Sequence, residues 1–484
     1  MKMMIAVAAL VASARCALCA QDAAELEAPE EGGIQFDAGA DLRIRQEIMH
    51  NVPTMPGGGM VGNPAVMRNK TRNQMRFRAR VWAEMKFGDS WRLYGRLADE
   101  FRAGIAQSKA VHSTTWPGEV VVDNLYLEGK NLMEGVLFDD GWIDLVAGRQ
   151  DLYGLYGLNH IFIDGTSGDG SRTTYTDMVR LAIHVDEDSW LDLFGLLNKD
   201  REFLRLGTHR SRDATQLTGF GGNDTEMDDW GFGAVWNSKF TLGGGESERG
   251  LPVNYQLFFI QKDTASFHRR GVKHPRRQVN LIGAKLVPHW TANLTTPLEA
   301  MVQVGENGEN KDLTAWAGYA GVEWKDMDRK TWRPFAGAGL LVLSGDEDAA
   351  REDGGRSAWD PMWYRGVNDS EMMLYGSNYG CGWWSNMMNL KTTFGVEISR
   401  LHKVSMMMGP IFAEAKDGLG GGDGQYKGFL SQARYDFPLW RADAAKGERF
   451  EIFGHLLFEC FNPGDYYETS KPAYFVRWQV DFKF

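Results

Sequence analysis

The amino-acid sequence predicts an all-β fold, a transmembrane antiparallel up-and-down β-barrel of about eighteen strands set in an outer membrane. Three observations predict it. Segments of strict two-residue alternation recur along the chain, the connections between them are short and long by turns, and the chain stops on an amphipathic aromatic segment. The 484 residues are 43% hydrophobic and 12% aromatic, too apolar for a disordered chain. No apolar run reaches the roughly 18 residues that a spanning helix needs.

The first element is a leader. Lys2 supplies a basic start, Ile5 through Ala12 an apolar stretch, and Cys16, Ala17, Leu18, Cys19 and Ala20 lead into acidic sequence at Gln21 and Asp22. This pattern reads as a secretory signal peptide over 1–20. Residues 21–33 then form a short acidic periplasmic segment, and 34–484 a single transmembrane barrel. Two cysteines remain after cleavage, Cys381 and Cys460, too few for a disulfide framework.

From Phe36 onward the period is two. In the first strand Phe36, Ala38, Ala40, Leu42, Ile44 and Ile48 share one face, and Asp37, Gly39, Asp41, Arg43, Arg45 and Glu47 the other. The second sets Met75, Phe77, Ala79, Val81, Ala83, Met85 and Phe87 against Arg76, Arg78, Arg80, Trp82, Glu84 and Lys86. The third repeats the scheme with Trp91, Leu93, Leu97 and Phe101 against Arg92, Tyr94, Arg96, Glu100 and Arg102. The count continues through 34–49, 71–87, 91–105, 119–130, 141–151, 172–185, 189–204, 228–240, 253–263, 277–289, 297–305, 312–324, 332–344, 386–400, 403–416, 426–437, 448–460 and 472–484. Short connections fall at even positions, such as Gly88-Asp89-Ser90 and Leu401-His402. Long ones fall at odd positions, at 50–70, 152–171, 205–227 and 345–385, as in outer-membrane barrels.

A large secreted β-sandwich also alternates. The ordered charge on the polar faces, and Trp and Tyr near segment ends, favour the membrane barrel. In the last segment Tyr474, Val476, Trp478, Val480, Phe482 and Phe484 alternate with Ala473, Phe475, Arg477, Gln479, Asp481 and Lys483. Its terminal Phe484 fits a signal to the barrel assembly machinery. In hydrocarbon a lumenal arginine moved to the lipid face costs roughly 2–4 kcal/mol near the midplane, so the alternation assigns the arginines to the lumen.

Residues 36–110 carry thirteen Lys or Arg against seven acids, in a chain of formal net charge −11. A basic wall in a water-filled, low-dielectric channel favours anions. Structural pairing of the same arginines with Glu47, Glu84 and Glu100 is the competing use of the charge. The candidate pore-lining residues are Arg43, Arg45, Arg76, Arg78, Arg80, Arg92, Arg96 and Arg102.

Four motifs, in order, carry a resemblance: Leu145-Val146-Ala147-Gly148-Arg149-Gln150, Thr176-Asp177-Met178-Val179-Arg180-Leu181, Leu343-Ser344-Gly345-Asp346 and Phe461-Asn462-Pro463-Gly464-Asp465. Together they resemble the alginate export porin family over nearly all the mature chain. The resemblance implies an eighteen-stranded outer-membrane barrel with an Arg-rich lumen that conducts an anionic polyuronate. It adds Arg149 and Arg180 to the candidates and puts a periplasmic gating loop at about 438–447. Strict alternation puts Arg149 on the face of Leu145 and Ala147, so either Gly148 marks a bulge that turns it inward or Arg149 sits at the rim.

No catalytic signature accompanies these features. There is no Gly-x-Ser-x-Gly, no His-Glu-x-x-His and no phosphate-binding glycine loop, and the ten histidines lack metal spacing. Asp346, Glu347, Asp348 and Asp417 read as acidic loops, with calcium binding the rarer use. The expected partners are outer-membrane lipid, an anionic polysaccharide or small anionic solutes, and the assembly machinery. No cofactor, metal or nucleic acid is expected. A general diffusion porin is the first alternative, and an outer-membrane barrel hydrolase the second.

Overall fold

The computed structural model describes residues 33–51, 71–106, 120–150, 176–198, 229–243, 250–308, 312–347, 357–363, 385–441 and 449–484, less 138, 140, 270–271, 275, 400, 418–419 and 469, together with 53–54, 66–67, 205–206 and 370. The leader, the acidic segment up to residue 32, and Cys381 lie outside the described residues.

Eighteen long strands follow in order: β1 (Ile34–His50), β2 (Thr71–Phe87), β3 (Trp91–Ala106), β4 (Val120–Leu132), β5 (Trp142–Gln150), β6 (Thr176–His184), β7 (Trp190–Asn198), β8 (Asp229–Leu242), β9 (Leu251–Thr264), β10 (Arg277–Thr291), β11 (Leu298–Asn307), β12 (Asp312–Lys325), β13 (Trp332–Leu343), β14 (Met387–Ile398), β15 (His402–Phe412), β16 (Tyr426–Arg441), β17 (Glu451–Pro463) and β18 (Ala473–Lys483). Each pairs antiparallel with the next. β18 returns to β1, with Leu42 opposite Phe482 and Ile48 opposite Val476. The sheet therefore closes without an edge, the condition for a sheet to stand in hydrocarbon. The C-terminus completes the seam: the Phe484 N–H donates to the Ala40 carbonyl at 2.9 Å, and the Ala40 N–H to that of Phe484 at 3.3 Å.

Period-two alternation sets the two surfaces. Leu257, Ile282, Val302, Leu340 and Leu390 stand exposed on the outside, while their strand neighbours Phe258, Leu281, Met301 and Leu341 are buried inside. At the ends by the short connections, Trp290, Trp332 and Trp440 are each 55% exposed and form an aromatic girdle. The implied gating region begins inside β16, where Leu439 and Trp440 belong to this outer surface. The even connections are short, as at 88–90, 185–189 and 399–401, and the odd ones long, as at 51–70, 151–175, 199–228 and 344–386. The connection 308–311 departs from that alternation, a short link at an odd position.

Two irregularities reshape the wall towards the long-connection ends of β4 and β5. Between β3 and β4 the register slips so that Asp123 is the extra residue, and its carboxylate turns to Arg96 Nε at 2.9 and 3.0 Å. On β5, Gly148 adopts φ +127, and a Cβ there would come within 2.3 Å of the Leu125 carbonyl oxygen.

Leu257 lies at mid-strand on the outer surface. Leu257→Arg is expected to destabilise the barrel by about 2–4 kcal/mol, read as a lowered urea midpoint for folding into lipid vesicles.

Candidate functional site in the barrel lumen

The basic wall is built by β1 to β4, and register decides its chemistry. Glu47 on β1 is ion-paired with Arg45 at 2.9 Å and Arg76 at 3.1 Å, and accepts from Gln74 at 2.8 Å. Asp41 holds Arg78 at 3.3 Å and Arg80 at 2.7 Å. Glu84 holds Lys86 and Arg92, both at 3.2 Å. Glu128 on β4 holds Arg92 at 2.6 Å and Lys130 at 3.5 Å. Each of these four carboxylates lies between two cations, with Arg92 shared by Glu84 and Glu128, so four carboxylates meet seven cations, whereas Arg96 pairs with Asp123.

Access to these cations is graded. Arg45 and Arg76 are 1% and 3% exposed, Arg78 12%, Arg80 20%, and Lys86, at the short-connection mouth, 51%. Arg43 is buried beside them, opposite Asp481 in the register. The sealed end behaves as a buried salt-bridge network that holds the wall, since removing one partner leaves an uncompensated charge. The open end presents its cations to the lumen. The Arg102 side chain lies outside the described residues.

Arg149 and Arg180 play other parts. The Arg149 guanidinium donates from Nε and Nη2 to Asp177, at 2.7 and 3.0 Å, and from Nη1 to the Val122 carbonyl at 3.0 Å. It is buried and clamps β4, β5 and β6 together where Gly148 breaks the alternation. Arg180 is bound by Asp192 of β7 at 2.7 Å, which also accepts from Trp190 Nε1 at 3.1 Å.

On the far arc an apolar patch lies on β8 to β13, on the side of the long connections, beside buried polar groups such as Glu299 and Gln303. Val235, Ile260, Leu281, Leu313 and Leu343 are fully buried there, covered by residues 357–363 of the long connection between β13 and β14. Gln303 of β11 receives this segment as a second strand would: its Nε2 donates to the Asp360 carbonyl at 2.7 Å, and its Oε1 accepts from the Asp360 N–H at 2.8 Å. Lys262 Nζ donates to the Met362 carbonyl at 2.7 Å, Arg277 pairs with Asp360 at 3.0 Å, and the Trp363 ring lies over Gly231. Farther along the same connection, Ser370 Oγ donates to Glu459 of β17 at 3.1 Å. Residues 357–363 therefore meet β9 to β11, and Ser370 meets β17, with five strands between β11 and β17.

The chain matches no family model and no curated protein. Among solved structures it is similar to OccK11 of Pseudomonas aeruginosa, at 11% identity over 95% of this chain and 98% of that one, with a TM-score of 0.47. It is also similar to OccAB1 of Acinetobacter baumannii, at 9% identity over 93% and 96%, with a TM-score of 0.48. The outer membrane channel DcaP of Acinetobacter baumannii matches at 11% identity over 94% and 99%, with a TM-score of 0.38. By its own closure, apolar belt and loop asymmetry, the chain is an eighteen-stranded barrel of the bacterial outer membrane.

The sequence reading missed the infolded segment and the residues that seat it, Lys262, Arg277 and Gln303. Its one legible signal was length, since 345–385 is far longer than a hairpin needs. Among the described residues no group of three His, Cys, Asp or Glu is placed to hold a metal ion. The Asp417 carboxylate instead accepts from Asn386 Nδ2 at 2.6 Å and Tyr466 Oη at 3.0 Å. Cys460 is a free thiol.

Glu47→Gln leaves Arg45 and Arg76 buried with their shared carboxylate gone, and a loss of about 3–5 kcal/mol in folding stability is expected, measured in the same vesicle assay. Gln303→Ala removes both bonds to Asp360, and a larger single-channel conductance with more frequent fluctuation between levels is expected in planar bilayers.

Proposed function

We propose that the chain is a passive outer-membrane channel that favours anionic solutes, with anionic saccharides of the polyuronate type as its larger cargo. The observation that carries this reading is the sharing of Asp41, Glu47, Glu84 and Glu128 among seven cations. Paired arginines hold their geometry without solute, and the surplus charge attracts an anion that need displace no carboxylate. Sites that are attractive but already partly neutralised also release what they bind, as conduction requires. Focusing in a narrow lumen strengthens this field.

The infolded segment supports the same path. Residues 357–363 cover an apolar patch on the opposite side, and the charged groups of β1 to β4 remain for solute to meet. The motifs behind the family resemblance occupy structural joints: Arg149 clamps three strands, Ser344 anchors the infolded segment through its bond to the Ser357 carbonyl, and Asp465 accepts from the Tyr426 N–H. They speak for the barrel, and the preference for anions rests on the basic wall.

Under a potassium chloride gradient in planar bilayers, the reversal potential is expected to report chloride preference. Replacing Arg78, Arg80 and Arg92 together by Gln is expected to bring the permeability ratio towards unity. Cation preference, or a ratio unchanged by the triple substitution, overturns the proposal, and a ratio near unity in the native chain leaves a general diffusion porin.

A further inference from the structure

Beside the exposed cations the lumen wall carries a row of aromatic rings that charge selection does not need. Trp82 of β2, Tyr94 of β3 and Tyr126 of β4 stand side by side on the polar face. The Trp82 and Tyr94 centroids are 6.2 Å apart at 22°, and those of Tyr94 and Tyr126 5.2 Å apart at 29°. Trp82 lies down over Gly39 of β1, where a Cβ would come within 2.6 Å of the ring. None of the three rings is fully buried. A lumen needing only charge and water gains nothing from large half-open aromatic faces, which water solvates poorly.

The polar groups around the row are those that recognise hydroxyls. Arg92 and Arg96 stand two residues either side of Tyr94 on the same face, and the Arg92 guanidinium lies 5.7 Å from the Tyr94 centroid and 5.6 Å from that of Tyr126. Arg92 also donates to Tyr126 Oη at 3.0 Å. Glu84 and Glu128 flank Arg92, so planar donors and acceptors border an apolar strip. A pyranose ring has the matching form, with an apolar C–H face and equatorial hydroxyls at its rim.

We infer that Trp82, Tyr94 and Tyr126 form a saccharide subsite in the channel, on which the C–H face of a passing pyranose stacks while Arg92 and Arg96 engage its hydroxyl or carboxylate oxygens. The inference rests on the lumen being the solute path. It makes the sugar ring, with or without charge, a recognised feature of the cargo.

The test is current block of the refolded full-length protein in planar bilayers, with trigalacturonate and maltotriose as charged and neutral probes. Both are expected to give resolved block events. Trp82→Ala and Tyr126→Leu are each expected to shorten the dwell time about two- to tenfold, the range that loss of one aromatic face contact gives, with potassium chloride conductance unchanged. Tyr126→Phe keeps the ring and is expected to retain most of the dwell time. Native dwell times in both the Ala and Leu variants, at native conductance, overturn the subsite while leaving the anion channel intact. Absence of block by either sugar does the same. Maltotriose block that is lost in Trp82→Ala, in a channel without anion preference, supports the subsite and removes the charge reading instead.

Discussion

Closure of the backbone hydrogen-bond ladder governs everything else in this molecule. A sheet in hydrocarbon cannot leave a row of amides unpaired, so β18 must return to β1, and the final Phe484 completes that seam against Ala40. Once the sheet is closed, side chains have only two destinations. Leu257 and Ile282 go to lipid, and Arg76, Arg78 and Arg80 to the lumen. The charged interior follows from closure together with the alternation.

Inside, the same wall serves two demands that pull apart. Buried guanidinium groups require carboxylate partners, whereas a conducting path requires charge that solute can reach. The wall meets both by sharing Asp41, Glu47, Glu84 and Glu128 among seven cations and by grading exposure along β2, from sealed Arg76 to open Lys86. The sealed end gives the strands a fixed register. The open end keeps a field.

The lumen is also asymmetric. Apolar residues of β8 to β14 would stand in water in an empty barrel, and residues 357–363 cover them, seated by Gln303 and Lys262. The arc of β1 to β4 carries both the shared carboxylates and the aromatic row.

The eighteen strands were legible in the sequence because period two is a local property, visible within each segment whatever it pairs with. Most read boundaries fall within a few residues of the structural ones, as in β2 at 71–87 and β13 at 332–343. The inward face of the arginines was equally legible, since lipid excludes them. Their partners were only partly so: Glu47 and Glu84 stood out as acids nearby, but Asp41, Asp123 and Glu128 are joined to their arginines across strands, and a one-residue bulge at Asp123 decides which carboxylate Arg96 finds. Arg149 could not be oriented without the backbone of Gly148. The infolded segment has no periodicity and makes its contacts with strands some 60 to 100 residues earlier, at Gln303 and Lys262. The sequence by itself determined barrel, strand number and face, because hydrocarbon and water sort side chains locally. Tertiary structure alone decided which charges are shared, which are reachable and where residues 357–363 are seated, because those depend on register and on contacts between distant parts of the chain.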